Sequence, residues 1–194
     1  MSNLFQNLQL QAFRAGITPR TQESRTWFRR KAQQLRRVNR RELMREEEIE
    51  LRNRFMPGKM YMFFYDPKTK DKLPYYDGFP LVIPVERAEG GFYGLNIHYL
   101  PPVLRAKFLD ALMDITTNQK YDETTRFRVA YERLQSVRKL RFFKPCYKRY
   151  LTAHVKSRFA YVSPTEWEIA TFLPTADWRK SNAGNVYKDS RGMI

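Results

Sequence analysis

The side chains that most often carry out catalysis or bind metals are scarce in this sequence. The chain has one cysteine, Cys146, and two histidines, His98 and His154. A zinc site needs about four clustered Cys, His or carboxylate ligands, and no such spacing occurs. Cys146 and His154 could form a nucleophile–base pair, but no acidic residue lies near them in sequence to orient the histidine. We interpret Cys146 as a small buried thiol, His154 as a helix residue and His98 as a strand residue with a hydrogen-bonded ring.

Acidic residues give no stronger indication of chemistry. Asp66, Asp71 and Asp77 lie near lysines in one loop, whereas a metal-dependent nuclease needs several acids that converge on the metal. A solvated, turn-rich loop is the preferred interpretation. The run EGGFYG does not follow the strand–loop–helix order of a phosphate-binding loop. We therefore expect no catalytic residue, no metal and no cofactor, and a protein that is not an enzyme.

Arginine and lysine are abundant and unevenly distributed. The chain has 36 basic and 20 acidic residues and a net charge of +16, which favours nucleic acid, an anionic membrane surface or acidic proteins as partners. No acidic residue occurs between Arg25 and Arg41, nor between Glu132 and Glu166. We predict that these two blocks contact a polyanion through Arg25, Arg29, Arg30, Arg36, Arg37, Arg40, Arg41, Arg138, Lys139, Arg141, Lys144, Lys148, Arg149, Lys156 and Arg158.

Aromatic residues are interleaved with the second basic block, among them Tyr147, Tyr150 and Phe159. Such rings can stack on bases or on a frayed DNA end, or they can be core residues surrounded by long basic side chains. For Phe142 and Phe143 we favour the core. No recognition helix, zinc finger or aromatic sheet motif indicates base-specific contacts. We expect double-stranded DNA to be bound without sequence preference, with an affinity that falls steeply with salt.

Residues 1–56 are predicted to form a basic helical arm, with a break near Asn39. This segment contains one glycine and one proline. At about 100° per residue, Phe28, Ala32 and Leu35 align as one narrow apolar stripe, and arginines cover much of the remaining circumference. Because so narrow a stripe cannot hold a whole helix in a core, we expect the arm to lie across a surface.

Residues 57–174 are predicted to form a compact α+β domain. GKMYMFFYDP, LVIPVER and FYGLNIHYL are typical of strands, and Pro84 indicates an edge position or a bulge. These strands suggest a small twisted antiparallel sheet. Analogy with SH3-type domains suggests that the sheet forms an SH3-like barrel. SRFAYV is predicted as a further strand. PPVLRAKFLDALMDI, DETTRFRVAYERLQSV, KPCYKRYLTAHV and TEWEIATFL are predicted as helices that pack with the sheet. Residues 175–194 lack periodicity and are predicted to be an extended tail.

The sequence gives no indication of a membrane partner. The start, MSNLFQNLQLQAF, lacks the charged beginning and apolar block of a signal peptide. No window approaches the roughly 18 apolar residues of a membrane span. We therefore expect a soluble protein that remains inside a cell, or inside a particle assembled there.

Four strings, YDPKTKDKLPYYDGFPL, GLNIHYLPP, RYLTAHVKSRF and EWEIATFLP, resemble virion-associated proteins of T-even-type contractile-tailed bacteriophages. The resemblance is to the DNA end protector (head completion) family and covers residues 57–174. It implies a non-enzymatic structural component at the genome end or the head–tail axis that shields duplex ends from exonuclease. The implied partners are double-stranded DNA and neighbouring virion proteins in a large symmetric assembly, formed in the host cytoplasm and located in the virion. The resemblance assigns no binding residues.

An alternative is a tail or baseplate assembly protein whose basic arm docks on acidic neighbouring subunits. Neutralising Arg29, Arg36 and Arg40 separates the two hypotheses. A DNA-binding arm would lose salt-dependent DNA affinity, whereas a docking arm would impair particle assembly and leave DNA binding unchanged.

Overall fold

A computed structural model of the protein describes residues 4–19, 21–35, 38–45, 49–116, 132 and 143–194. Within these ranges, helices pack with an antiparallel sheet in one core, which confirms the predicted α+β class. The elements in chain order are α1 (Leu4–Arg14), α2 (Gln22–Gln34), α3 (Arg40–Leu43), β1 (Leu51–Arg52), β2 (Met60–Met62), β3 (Tyr76–Asp77), β4 (Leu81–Ala88), β5 (Gly91–Asn96), α4 (Pro102–Thr116), β6 (Tyr147–Leu151), β7 (Phe159–Val162), α5 (Trp167–Phe172), β8 (Trp178–Arg179) and α6 (Ala183–Met193).

The main sheet is open. Its strand order is β1-β7-β2-β4-β5-β6 with antiparallel pairing throughout, and β3 pairs separately with β8. Within the described residues the outer strands, β1 and β6, do not pair with each other. The sheet therefore does not form the closed, SH3-like barrel that we suggested by analogy. The bulge suggested by Pro84 is confirmed, because the β4–β5 register shifts between Pro84 and Glu86.

The strand β6 replaces a helix predicted from KPCYKRYLTAHV. It pairs with β5 from Gly91↔Leu151 to Leu95↔Tyr147. The Tyr150 ring is buried and stacks on Phe92 with ring centres 5.3 Å apart. Aromatic residues favour strands when a partner strand covers them, and here that cross-strand contact decides the conformation.

The N-terminal helices pack into the same core as the sheet. Phe28 and Ala32 of α2 are buried and Leu35 is partly buried, which confirms the predicted apolar stripe. Ser24 Oγ also donates a buried 2.6 Å hydrogen bond to Glu168 of α5. The segment is therefore not the surface-lying arm that we expected, because neighbouring helices supply contacts that a narrow stripe alone would not.

The break predicted near Asn39 is present. The helix α2 ends at Gln34, and the Asn39 side chain accepts a 3.1 Å hydrogen bond from the backbone N–H of Arg41 to begin α3. Asparagine is a favoured N-cap residue because its side chain satisfies a free amide of the first turn. Two basic residues, Arg40 and Arg41, therefore lie at a fixed position at the start of α3.

The C-terminal residues form a short strand and a helix rather than an extended tail. The helix α6 is capped by Asn182, whose Oδ1 accepts from the backbone N–H of Asn185 at 3.0 Å. Val186 and Ser190, four residues apart, are its buried positions. Only one of these two is apolar, so the sequence carries little of the periodicity that predicts a helix.

The helix predicted after Pro101 is confirmed as α4. Phe108 and Leu112 are buried on it, whereas Val103 is exposed. The helix predicted for residues 122–137 lies outside the described residues except for Glu132. In the described ranges, no helix is long and apolar enough to cross a membrane.

Candidate nucleic-acid interface

Four cations from separate parts of the sequence line one solvent-open cleft, here called the cationic cleft. They are Arg40 and Arg41 at the start of α3, Lys156 between β6 and β7, and Arg179 in β8. The cleft has a volume of about 720 Å³. The fold thus brings together cations from both predicted basic blocks and from the C-terminal segment.

Two carboxylates offset part of the positive charge of the cationic cleft. Asp177 Oδ2 accepts hydrogen bonds from Arg179 Nε and Nη2 at 3.0 and 2.7 Å, and Asp177 Oδ1 lies 3.8 Å from Arg40 Nη1. Lys70 Nζ donates a hydrogen bond to Asp66 Oδ1 at 3.0 Å, and this hydrogen bond lowers the pKa of Asp66. Four cations against two carboxylates leave the lining with a net charge of +2, which favours an anionic ligand.

Arg40 is a structural part of the cleft wall. Its Nε donates to the carbonyl oxygen of Thr175 at 2.7 Å, and its Nη2 donates to the carbonyl oxygen of Ala176. A guanidinium holds several acceptors at once because its donors are fixed in one plane. Arg40 therefore attaches the segment before β8 to α3, while Arg41, the next residue, is exposed.

Lys156 is attached by its backbone to Phe64, another residue of the cleft lining. Its N–H donates to the Phe64 carbonyl oxygen at 2.8 Å, and the Phe64 N–H donates to Ser157 Oγ at 2.9 Å. The Lys156 side chain is exposed. In the part of the chain that the structure describes, neither Lys156 nor Arg41 forms a salt bridge. Both cations are thus available to a ligand.

A second cleft, here called the aromatic cleft, adjoins the first and has a volume of about 450 Å³. Tyr65 and Tyr76 line both clefts. The lining of the aromatic cleft also includes Tyr75, Tyr99, Tyr150, Lys148 and Arg149. The Lys148 ammonium lies 4.1 Å from the centre of the Tyr99 ring, a cation–π contact. This cleft therefore combines aromatic rings with positive charge.

A buried hydrogen-bond network ties the wall of the cationic cleft to the core. Asp77 Oδ1 accepts from the backbone N–H groups of Phe79 and Asp177 at 3.0 and 2.9 Å. Asp77 Oδ2 accepts from Asn96 Nδ2 at 3.2 Å and lies 2.7 Å from His98 Nδ1. All the oxygen atoms of this buried carboxylate thus have partners, as a buried charge requires. The network fixes the position of Asp177 beside the cleft.

The network determines the charge states of its two ionisable members. Burial lowers the pKa of His98 and outweighs the opposing attraction of Asp77, so the imidazole is neutral. Burial alone would raise the pKa of Asp77, but His98 and the backbone amides of Asp177 and Phe79 lower it overall, so the carboxylate is ionised. A neutral His98 then donates from Nδ1 to Asp77 and accepts at Nε2 from Thr175 Oγ1, 3.1 Å away.

Asp77, His98 and Thr175 have the connectivity of an acid–base–nucleophile triad, but their location is not that of an active site. Their exposed fractions are 3%, 0% and 0%. A nucleophile must reach the substrate, and the Thr175 hydroxyl is enclosed by protein. We therefore interpret these residues as structural support for the cationic cleft.

Cys146 and His154 each hydrogen-bond to a backbone carbonyl oxygen rather than to each other. The buried Cys146 thiol donates to the Phe143 carbonyl oxygen at 3.1 Å, and burial raises its pKa to about 12. His154 Nδ1 lies 2.8 Å from the Asp66 carbonyl oxygen. A thiol with such a raised pKa is not a nucleophile at neutral pH, and this agrees with the interpretation of Cys146 as a buried structural thiol. His154 follows β6 in a short 3-10 turn rather than a helix. Among the described residues, no group of His, Cys, Asp and Glu converges to hold a metal ion.

The predicted binding residues are distributed over several surfaces. Arg40, Arg41 and Lys156 line the cationic cleft, and Lys148 and Arg149 line the aromatic cleft. The other described members lie outside the lining of both clefts: Arg25, Arg29 and Arg30 on α2, and the exposed residues Lys144 and Arg158. Five further members, Arg36, Arg37, Arg138, Lys139 and Arg141, lie outside the described residues.

Sequence reasoning missed Arg179 and the two tyrosines shared by the clefts. Arg179 lies in β8, opposite Tyr76 of β3. The only local signal is the run Trp178–Arg179–Lys180, an aromatic residue followed by two cations. A strand pair of two residues each leaves too short a pattern to detect, and the two strands are about 100 residues apart in sequence.

An open antiparallel sheet, helices that pack with it and clefts lined by cations define a basic α+β protein whose surface suits a polyanion. Residues 5–190 match the sequence model of a bacteriophage protein family, so this is a structural protein of a phage. The chain belongs to the family described as phage T4 terminal DNA protecting protein. This confirms the predicted resemblance to the DNA end protector family. Membership implies association with phage DNA ends in the virion.

The family match extends beyond the predicted limits of the resemblance. It begins in α1 and ends in α6, whereas the resemblance covered residues 57–174. The N-terminal helices and the C-terminal segment are thus part of the family's common sequence. No curated protein and no solved structure matches the chain.

Proposed function

We propose that the protein binds the ends of linear double-stranded DNA through the cationic cleft and thereby blocks exonucleases. In this proposal the protein is a non-enzymatic component of the virion. It is added to the particle in the host cytoplasm, next to other virion proteins of a symmetric assembly. The observation that carries the proposal is the convergence of Arg41, Lys156 and Arg179 on one solvent-open cleft.

The charged lining of the cationic cleft favours contacts with the phosphates of the DNA backbone over recognition of individual bases. Lysine and arginine side chains neutralise phosphates and release counterions, independently of sequence. The exposed Arg41 and Lys156 suit this role, whereas Arg40 is committed to carbonyl oxygens of the protein. With two or three phosphate contacts, affinity should fall with salt at a logarithmic slope of about −2 to −3.

A binding experiment with matched DNA forms tests this proposal. Affinity for a blunt linear duplex and for a closed circle of the same length is measured across a salt series. Tighter binding to the linear form supports recognition of ends. Equal binding to both forms would mean general phosphate contact, and the absence of binding at moderate salt would contradict the proposal.

A cleft variant and a matched surface variant locate the contact. Replacing Arg41 and Lys156 together by glutamine should weaken binding and make the salt slope shallower by about two. Replacing Arg30 and Lys144 by glutamine removes the same charge from exposed positions outside the clefts, and should change binding little. Equal losses in the two variants would argue against the cleft as the site.

Docking on a neighbouring virion protein is the second candidate function, and one observation favours it. Phe13 of α1 has an exposed fraction of 80% and Leu10 one of 46%. Phe13 also borders an apolar cavity lined by Ile17 and Phe28. Exposed apolar patches often mark protein contacts. Replacing Phe13 by serine should then impair incorporation into particles without changing DNA affinity.

A further inference from the structure

We propose that the aromatic cleft binds an unpaired nucleotide at the DNA end, with the base stacked on tyrosine rings and its phosphate beside Lys148 and Arg149. The inference rests on the proposed function, since it assumes that a DNA end reaches the adjoining cationic cleft. It adds a preference among ends: those with an unpaired nucleotide should bind more tightly than blunt ones.

The aromatic side of the cleft is held in place by ring-to-ring contacts. Tyr75 lies 6.1 Å from Tyr99 and 6.3 Å from Trp178, measured between ring centres, and Tyr65 lies 4.9 Å from Tyr150. Rings fixed in this way lose little conformational freedom when a ligand stacks on them. Every base has a π-face, so such a surface accepts an unpaired base whatever its identity.

The charge of the aromatic cleft favours a nucleotide over an uncharged apolar ligand. Lys148 is partly buried, so its ammonium is less well solvated than one at the surface. This desolvation lowers the pKa of Lys148. Arg149 is exposed and donates through Nη2 to the Glu89 carbonyl oxygen at 3.0 Å. The acidic residue in the lining, Asp77, is buried and fully hydrogen-bonded. The cations are therefore offset by no solvent-facing carboxylate in this lining.

One wall of the cleft is clamped by a residue in a costly backbone conformation. Lys180 has a φ of 63°, in the left-handed region that favours glycine. Its Nζ donates to the carbonyl oxygens of Lys70, Asp71 and Leu73 at 2.6, 3.1 and 3.2 Å. This clamp fixes the loop that supplies Leu73 and Tyr75 to the lining.

The size and position of the aromatic cleft fit a terminal nucleotide. Its volume of about 450 Å³ lies within the range of about 300–1,000 Å³ typical of small-molecule sites. Because Tyr65 and Tyr76 line both clefts, a strand whose phosphates lie in the cationic cleft can continue into the aromatic one. A paired base cannot enter, since its faces are covered by the duplex stack.

The test compares duplexes that differ by one unpaired nucleotide at each end, 3′ in one set and 5′ in the other, against the blunt form. The full-length protein should bind one of the extended forms about tenfold more tightly than the blunt form. An unpaired 2-aminopurine should also change in fluorescence on binding, because stacking on tyrosine alters its emission.

Two variants make the comparison specific. Tyr75→Leu removes a ring that lines only the aromatic cleft, and should abolish the preference while blunt-end affinity is retained. Tyr93→Leu is the control, because Tyr93 is half-buried and stacks on Tyr147 outside both linings; it should keep the preference. Thermal melting establishes that both variants are folded.

The outcomes separate this inference from the proposed function. End-selective binding with equal affinity for blunt and extended ends would overturn the inference and leave the proposed function in place. Loss of the preference in Tyr93→Leu but not in Tyr75→Leu would also overturn it. No binding to any DNA end would contradict both.

Discussion

Asp77 Oδ2 lies 2.7 Å from His98 Nδ1 in the protein interior, and the other oxygen of the same carboxylate accepts from the backbone N–H of Asp177. Asp177 in turn pairs with Arg179 inside the cationic cleft. A second contact strengthens this connection, since the Gly78 N–H donates to the Asp177 carbonyl oxygen at 2.8 Å. The buried pair thus determines where two charged residues of the candidate site lie.

Replacing His98 by leucine should destabilise the protein by about 2–3 kcal/mol, because the buried Asp77 carboxylate loses a charge-assisted hydrogen bond. The free energy of unfolding in urea measures the effect. His154→Gln is the matched control: His154 is half-exposed and its ring contacts a single carbonyl oxygen. A loss for His98→Leu no larger than that of the control would contradict the assigned role.

The neutral state of His98 also predicts how stability depends on pH. Because burial lowers the pKa of His98 below its ordinary 6.5, the unfolded chain takes up a proton there before the folded protein does. Stability should therefore fall as the pH drops below about 6.5, by at most about 1.4 kcal/mol per pH unit for this one group.

This slope is assigned by comparing variants over a pH series. The variant His154→Gln should retain the decrease below pH 6.5, and His98→Leu should lose it. Asp77, whose pKa is also lowered, adds a further loss of stability below about pH 4. Identical profiles for the wild-type protein and His98→Leu would contradict this prediction, because they would mean that the pKa of His98 is the same in the folded and unfolded states.

Asp177→Asn should strengthen DNA binding. The substitution removes a negative charge from the cationic cleft and frees the Arg179 guanidinium from its ion pair. If Arg179 then contacts a phosphate, the logarithmic salt slope should steepen by about one. Asp71→Asn makes the same charge change at an exposed loop position outside the cleft lining. An equal effect in both variants would point to net charge alone.

Arg105 is a buried cation whose loss should destabilise the C-terminal helix. Its guanidinium donates to the carbonyl oxygens of His98, Leu100 and Thr171 and to Tyr187 Oη. Arg105→Met would leave these buried acceptors unpaired, so we expect a loss of about 3 kcal/mol or more. Unfolding in urea measures the stability, and limited proteolysis reports whether α6 detaches. Lys107→Met, an exposed change on the same helix, should cost far less.

Much of the fold could be predicted because local patterns and tertiary contacts agree. The strands β2, β4 and β7 lie in runs that are rich in aromatic and aliphatic residues, and Pro84 correctly indicated the bulge. The pattern failed for β6, where a neighbouring strand covers Tyr150. It also failed for α6, which has a single buried apolar residue, Val186.

The candidate site could be predicted only in part. Charge density predicted Arg41 and Lys156 as binding residues, but it could not predict that both line one cleft, because they are 115 positions apart in sequence and only the folded chain brings them together. Charge density also cannot separate an exposed cation from a structural one. Arg40 was predicted as a phosphate contact, yet its guanidinium donates to protein carbonyl oxygens.

Protection of linear DNA against a double-strand exonuclease tests the central claim most directly. The wild-type protein should slow digestion of a blunt linear duplex, the double variant Arg41→Gln/Lys156→Gln should lose most of this protection, and Arg30→Gln/Lys144→Gln should retain it. Thermal melting of all three proteins, monitored by circular dichroism, establishes that each variant is folded. Full protection by the folded cleft variant, or none by the wild-type protein, would contradict the account.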